Sequence, residues 1–225
     1  MKRLKGRALP EGNCIIVVLP EAEKMTVEKL DTVMSEVERE LDERDELREI
    51  ALKRCREIVR LSSDLIYRMQ KGAASREVVD GFRNLKSVVM ELNTLLTGNY
   101  EVYYSGFVEE ALQEYVEATL LRCAVSGKDL PTPAQLKVDA STYVLGLSDL
   151  IGEFRRIALN SMIEGRVEEA AHWVNEMERL FVAISRLHYP SKLVQIRKKQ
   201  DTARAMLDRT RGELATTMAS HALRK

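Results

Sequence analysis

Hydrophobic side chains recur along most of this chain at alternating spacings of three and four residues, which is the repeat of an amphipathic α-helix. The longest such run begins at Val27, continues through Met69 and stops before Gly72, so it predicts one very long first helix. Three polar residues interrupt its apolar seam, which favours packing against other helices over an extended two-stranded coiled coil. They are Arg44, Arg48 and Ser62.

The same repeat predicts five further helices, separated by glycines and prolines that break the pattern. They cover 75–96, a third helix around QEYVEA (113–118), about 134–163, 167–187, and Pro190 to about 219, with a turn at 97–99 and a compact loop at 127–133. Pro190 is expected in a first helical turn, where its missing N–H group is not needed.

Helices joined by short loops predict an all-α fold, a six- to seven-helix antiparallel bundle with a very long first helix. We expect residues 1–25 to be an N-terminal tail and residues 26–225 to be the all-α domain.

The composition limits the partners of this domain. The chain has 225 residues, 45% of them hydrophobic, which is enough for a substantial core. Lys and Arg together number 35, as do Asp and Glu, so a globally basic nucleic-acid binder is excluded. Residues 51–71 and 192–225 are locally basic, and such patches attract phosphates, although many charge runs are only solvated faces. Arg56 and Arg60, one helical turn apart, are the predicted nucleic-acid-binding residues of the first patch.

Cysteine usage and hydropathy indicate the compartment. Cys14, Cys55 and Cys123 are odd in number and lack a Cys-x-x-Cys spacing, which argues against a disulfide framework and a zinc knuckle. The apolar run CIIVVL (14–19) is too short for a secretory signal, and no stretch is long enough to span a membrane. We therefore expect a cytoplasmic protein with no membrane partner.

Two pairs of carboxylates carry the candidate chemistry. Glu114 and Glu117 are three residues apart, and Asp149 and Glu153 are four apart, so each pair lies on one face of its helix. A solvated helix face is the ordinary explanation of any single pair. Four clustered carboxylates, however, repel one another unless a hard divalent cation neutralises them, and that arrangement suits phosphoester chemistry.

The residues around the acids are unusual for a solvated face. The first acid-bearing helix is apolar on both sides, and the second contains Gly146 and Gly152 beside its acids. A glycine inside a helix costs roughly 1 kcal/mol relative to alanine. Both glycines therefore predict a close approach to the helix backbone, for which helix packing alone is the simpler alternative.

The segments QEYVEA (113–118) and DLIGEFRRIALNS (149–161) resemble signatures of the translin superfamily, and resemble its Trax (translin-associated factor X) branch more than translin itself. The resemblance extends weakly from about 26 to 220. It implies a translin-like fold and a magnesium-dependent ribonuclease site formed by the four acids. It also implies a homo-oligomer, a hollow and roughly octameric barrel whose interior holds single-stranded nucleic acid.

These observations predict a metal-dependent endoribonuclease acting on single-stranded RNA, with single-stranded DNA as an alternative ligand. The four acids would hold Mg²⁺ or Mn²⁺. Arg156 would neutralise transition-state charge or anchor a neighbouring phosphate, unless it only pairs with Glu153 on its own helix. Two alternatives stay open: a non-catalytic translin-like scaffold that binds single-stranded nucleic acid, and an all-α nucleoside triphosphate pyrophosphohydrolase.

Two other residues invite a functional interpretation. Glu169 and His172 form a Glu-x-x-His element, but ferritin-like di-iron sites need two such elements and the chain has one. Trp173 is predicted to pack in the core or at an interface and not to stack on bases.

Overall fold

The computed structural model describes residues 27–71 and 75–223. Within these ranges the chain is all-α, as predicted, with six long helices and two helices of four residues. They are α1 (Val27–Gln70), α2 (Ser75–Leu95), α3 (Tyr100–Tyr103), α4 (Gly106–Val125), α5 (Pro133–Leu136), α6 (Ala140–Ile163), α7 (Val167–Ser185) and α8 (Ile196–Ala222). The predicted tail, 1–25, lies outside the described residues.

The predicted start of the helix 134–163 is wrong, because this segment contains two N-terminal caps and each begins a separate helix. Thr132 and Gln135 form a capping box that begins the short α5. This helix ends at Lys137, which adopts a left-handed conformation with φ of 59°. Asp139 then begins α6, and its carboxylate accepts hydrogen bonds from two backbone N–H groups of the first turn.

The predicted start of the last helix at Pro190 is also wrong. The carbonyl oxygen of Pro190 accepts hydrogen bonds from the backbone N–H groups of Leu193 (2.9 Å) and Val194 (3.2 Å). These bonds close a separate turn, and α8 begins only at Ile196. Proline is common both in isolated turns and in the first turn of a helix. Hydrophobic periodicity does not distinguish these two positions.

The chain divides into two units, Met1–Arg44 and Asp45–Lys225, and the division falls inside α1. In the described part of the first unit the apolar seam of α1 is exposed. Its members are Leu30, Val33, Met34, Val37 and Leu41.

The core of the second unit surrounds α4 and α6. α6 packs against α4, α7 and α8, and α7 also packs against α8. Leu120, Leu150, Ile151 and Met177 are fully buried in this core. α4 is buried around most of its circumference, as its two-sided apolar pattern predicts. None of the described helices combines the length and the hydropathy that a membrane span requires.

The crossing of α4 and α6 is unusually close at Gly146. A Cβ atom at this position would lie 2.7 Å from the carbonyl oxygen of Gln113 and 2.8 Å from Cβ of Val116. The close approach expected here is therefore present, and its cause is helix packing. At Gly152 the expectation is wrong within the described chain, since no other helix comes within 4 Å of an added Cβ.

Candidate active site

The close crossing of α4 and α6 brings the two acid pairs together. Glu117 and Glu153 are buried, at 9% and 7% exposure, while Glu114 and Asp149 are partly buried. Both glutamates of α4 interact electrostatically with Asp149 and Glu153 of α6. The structure thus gathers all four predicted acids into one site, which we call the acid cluster.

Burial and mutual repulsion both resist ionisation in the acid cluster. The pKa of Glu117 is raised from 4.5 to about 8, first by burial and then by the charges of Asp149, Glu114 and Glu153. Burial is also the main cause of the raised pKa values of Glu114 and Glu153. A charged carboxylate loses hydration when it is buried, and each neighbouring negative charge makes ionisation costlier. The acid cluster therefore favours anything that brings positive charge to it.

Lys199 of α8 supplies one such charge. Its ammonium group forms an ion pair with one carboxylate oxygen of Asp149, and the side-chain amide of Gln113 donates a hydrogen bond to the other. The charge of Lys199 also lowers the pKa values of Glu114 and Glu117 against the effects that raise them. Sequence reasoning missed Lys199, which sits in the charged run RKKQ (197–200) and looks there like a solvated residue.

Two side chains partner Glu153. The amide of Gln70, near the end of α1, donates a hydrogen bond to one carboxylate oxygen. Arg156 lies 3.5 Å from the other oxygen, and it also donates to the amide oxygen of Gln70 at 3.3 Å. The intrahelical ion pair considered for Arg156 is therefore present. Its side chain is still 58% exposed, so the guanidinium group is accessible to a ligand.

The donor set of the acid cluster fits a hard divalent cation, although its side chains are not arranged around one. Among residues 27–71 and 75–223, no three Asp, Glu, His or Cys side chains are positioned to hold a metal ion. Carboxylate oxygens are the preferred ligands of Mg²⁺ and Mn²⁺, and such an ion would offset the repulsion among the carboxylates of the acid cluster. Metal binding would require Asp149 to exchange Lys199 for the ion.

The other predicted nucleic-acid-binding residues lie apart from the acid cluster. Arg56 and Arg60 are exposed on α1, and neither makes an ion pair with a described carboxylate. Arg60 precedes Gln70 by ten residues, which is about 15 Å along a helix axis at 1.5 Å per residue. An RNA-binding role for this pair stays a prediction.

The remaining candidates have structural partners. Glu169 forms an ion pair with Arg166. Trp173 is 8% exposed and packs on Phe154 with ring centroids 5.0 Å apart, in keeping with the predicted core packing. His172 contacts the edge of the same indole.

Comparisons with known proteins show relatives over most of the chain. The sequence model of the Translin family matches residues 28–210. An uncharacterized protein of Methanocaldococcus jannaschii is 31% identical over 186 residues, which are 82% of this chain and 82% of that protein.

Solved structures with a similar fold also cover most of the chain. AfC3PO in a complex with duplex RNA is 26% identical, with a TM-score of 0.72 over 83% of this chain and 97% of that chain. Apo-NeC3PO has a TM-score of 0.74 over 82% of this chain and 96% of its own, and at 21% identity it shows the fold alone.

Proposed function

This chain belongs to the Translin family, and from that premise we propose that it is a metal-dependent endoribonuclease that acts on single-stranded RNA. The observation that carries the proposal is the acid cluster, in which Glu114, Glu117, Asp149 and Glu153 interact across one helix crossing. All four acids of the Trax-like signatures are present, which favours that branch over a scaffold without chemistry.

Packing alone gives no reason for the acid cluster. Burying carboxylates that repel one another is costly, and apolar side chains of similar size would fill the same crossing without that cost. Glu117 and Glu153 are nevertheless among the few buried charged residues of the described chain. Buried acids with raised pKa values, gathered in one place, are typical of functional sites.

The residues of the chain have distinct roles in the proposed reaction. The four acids would hold Mg²⁺ or Mn²⁺, and the bound ion would polarise the scissile phosphate and make a coordinated water more acidic. Glu117 must release its proton to become a ligand, and Gln113 and Gln70 orient the carboxylates of Asp149 and Glu153.

Two cations near the acids complete the proposed site. The Lys199 ammonium group, which pairs with Asp149 in this structure, would be available to neutralise charge on a phosphate bound at the acid cluster. Arg156 presents an exposed guanidinium group beside Glu153, where it can bind an adjacent phosphate with paired hydrogen bonds.

The substrate class rests on two lines of support that differ in detail. AfC3PO, at 26% identity, has been solved with duplex RNA, which supports RNA as the ligand class. The Trax-like resemblance instead favours single strands held inside a homo-oligomeric barrel of about eight subunits. We propose single-stranded RNA as the cleaved form, and a side-by-side assay with duplex RNA of the same sequence tests that choice.

The decisive experiment is a cleavage assay on end-labelled RNA with Mg²⁺, with Mn²⁺ and with EDTA. Cleavage should require the metal, and Glu117→Gln or Glu153→Gln should lower the rate by at least a hundredfold, since each removes a charged ligand while keeping the side-chain shape. Glu110→Gln is the matched control, because Glu110 lies exposed on the same helix as Glu117.

Each other outcome has a definite meaning. Cleavage by both variants at the rate of the unsubstituted protein contradicts the site assignment. RNA binding without any cleavage supports the non-catalytic scaffold. Release of pyrophosphate from free nucleoside triphosphates, with intact RNA, supports the pyrophosphohydrolase.

A further inference from the structure

A cavity of about 300 Å³ adjoins the acid cluster. It opens between α1, α4, α6 and α7, and its wall mixes apolar and polar side chains. The members that matter here are Gln70, Leu121, Ile157, Asn160, Arg166 and Trp173.

The cavity shares a wall with the acid cluster. Leu121 follows Glu117 by four residues on α4, and Ile157 follows Glu153 by four residues on α6. Each therefore lies one helical turn, about 5.4 Å, beyond an acid on the same helix face. Gln70 lines the cavity and also donates a hydrogen bond to Glu153. A ligand whose backbone reaches the acids can place its next group in this cavity.

A buried hydrogen-bond donor in the cavity wall faces a carboxylate that another residue already holds. Trp173 is 8% exposed and packs against Phe154, and its indole Nε1 reaches no acceptor with good hydrogen-bond geometry. The carboxylate of Glu169, one turn earlier on α7, interacts with the indole but forms its ion pair with Arg166. Buried N–H groups nearly always donate a hydrogen bond. A buried N–H group without an acceptor has lost its hydrogen bonds to water and gains none in the protein, which costs free energy. A ligand in the cavity can therefore offer the indole N–H a better-placed acceptor than Glu169 does.

The charges around the cavity select a neutral ligand. Arg166 forms ion pairs with both Glu164 and Glu169, so its charge is already compensated by two carboxylates of the same wall. This leaves the wall slightly negative and unsuited to a phosphate. A flat group with apolar faces and with acceptors on its edge fits better, since it can contact Leu121 and Ile157 and accept from Trp173.

We propose that this cavity is a nucleobase-binding subsite, which takes one unstacked base of the RNA whose backbone lies at the acid cluster. The inference rests on the proposed function. Nucleobases combine flat apolar faces with edge acceptors and donors, and proteins commonly read unpaired RNA bases in this way. The side-chain amide of Asn160 is suited to pair with the base edge, whereas the amide of Gln70 is already held by Glu153 and Arg156. Cleavage should then occur beside an unpaired base.

Trp173 makes the inference directly measurable, because it is the sole tryptophan of the chain. Its fluorescence can be followed during titration with a short oligoribonucleotide in EDTA, where cleavage is stopped. We expect a saturable change in emission with the normal oligonucleotide. An abasic oligonucleotide of the same length, whose binding is followed by the anisotropy of a terminal label, should leave the emission unchanged.

Two matched variants test the polar wall. Asn160→Ala should weaken binding of the normal oligonucleotide about three- to tenfold, the loss of one or two hydrogen bonds, and should leave the abasic oligonucleotide unaffected. Asn175→Ala is the control, because Asn175 is exposed on α7 and does not line the cavity. Its affinity for both oligonucleotides should equal that of the unsubstituted protein.

Failure of this inference can be separated from failure of the proposed function. Unchanged emission while the RNA binds and is cleaved overturns the nucleobase subsite and leaves the nuclease intact. If no RNA binds, titration with adenosine and uridine tests the cavity alone, and unchanged emission again overturns it.

Discussion

At the scale of single residues, Lys199 is the internal cation of the acid cluster. Replacing it in Lys199→Met removes the ion pair with Asp149 and leaves the acids facing one another. In EDTA the variant should lose on the order of 1–3 kcal/mol of unfolding free energy, because a partly buried charge loses its partner. Lys198→Met, an exposed neighbour in the same charged run, should stay within about 0.5 kcal/mol. Equal urea midpoints for the two variants would contradict a stabilising role of Lys199.

The raised pKa of Glu117 predicts how the metal-free protein responds to pH. Between its usual value of 4.5 and about 8, Glu117 keeps its proton when folded and loses it when unfolded. The folded state then binds more protons, so the contribution of Glu117 to stability is full below pH 4.5 and falls as the pH rises to about 8. Glu117→Gln should remove this contribution.

Melting temperatures in EDTA at pH 5 and pH 8 test that prediction. The gain in unfolding free energy from Glu117→Gln should be clearly larger at pH 8 than at pH 5. The difference is on the order of 1.4 kcal/mol for each pH unit over which Glu117 is protonated in the folded state and ionised in the unfolded state. The control Glu110→Gln should show no such difference. A pH-independent effect of Glu117→Gln would mean that the residue is ionised throughout.

Sequence could identify the four acids but not their partners. Glu114 and Glu117, like Asp149 and Glu153, are neighbours on one helix, so their spacing alone places each pair. Lys199 reaches Asp149 across 50 residues and Gln70 reaches Glu153 across 83. Contacts between residues so far apart in the sequence depend on how whole helices pack. A single sequence contains no local pattern that indicates them.

At the scale of helices, the close crossing of α4 and α6 is what assembles the acid cluster. Gly146→Ala would place a methyl group 2.7 Å from a backbone oxygen of α4, which cannot move aside, so we expect about 1–3 kcal/mol of destabilisation. Gly152→Ala, six residues along the same helix and facing open space, should instead stabilise by up to about 1 kcal/mol. Urea unfolding measures both changes.

The RNA-cleavage assay adds a second readout to this pair. Gly146→Ala should also lower the cleavage rate, because separating α4 from α6 moves Glu114 and Glu117 away from Asp149. A Gly146→Ala protein as stable and as active as Gly152→Ala would show that the crossing is looser than the structure indicates.

Helix interiors were predictable from periodicity, whereas two helix starts were not. α1 was predicted within two residues because its apolar repeat is long and regular. The starts of α6 and α8 depend on the cap at Asp139 and on the turn at Pro190. Caps and turns involve a few backbone hydrogen bonds, and several registers of the same sequence can satisfy them.

At the scale of the whole molecule, RNA binding should depend strongly on salt. Each phosphate contact releases condensed counterions, so the logarithm of affinity falls with the logarithm of salt concentration. Arg56→Glu with Arg60→Glu, at two exposed positions of α1, should weaken binding and flatten this dependence. Binding measured at several salt concentrations checks both effects. Unchanged affinity would place the RNA surface elsewhere, with the basic segment 192–225 the next candidate.

The exposed apolar side chains of α1 predict that the chain assembles into an oligomer. The seam of α1 that includes Val37 and Leu41 is 41–58% exposed, and contiguous apolar surface of this kind is uncommon on soluble monomers. We therefore expect a homo-oligomer, most simply about eight copies of the 25.6 kDa chain as the family resemblance implies. Val37→Ser with Leu41→Ser should lower the mass seen by light scattering, and Glu36→Ser with Glu43→Ser, at exposed positions outside the apolar seam, should not. A stable monomer of the unsubstituted protein at micromolar concentration would exclude the barrel.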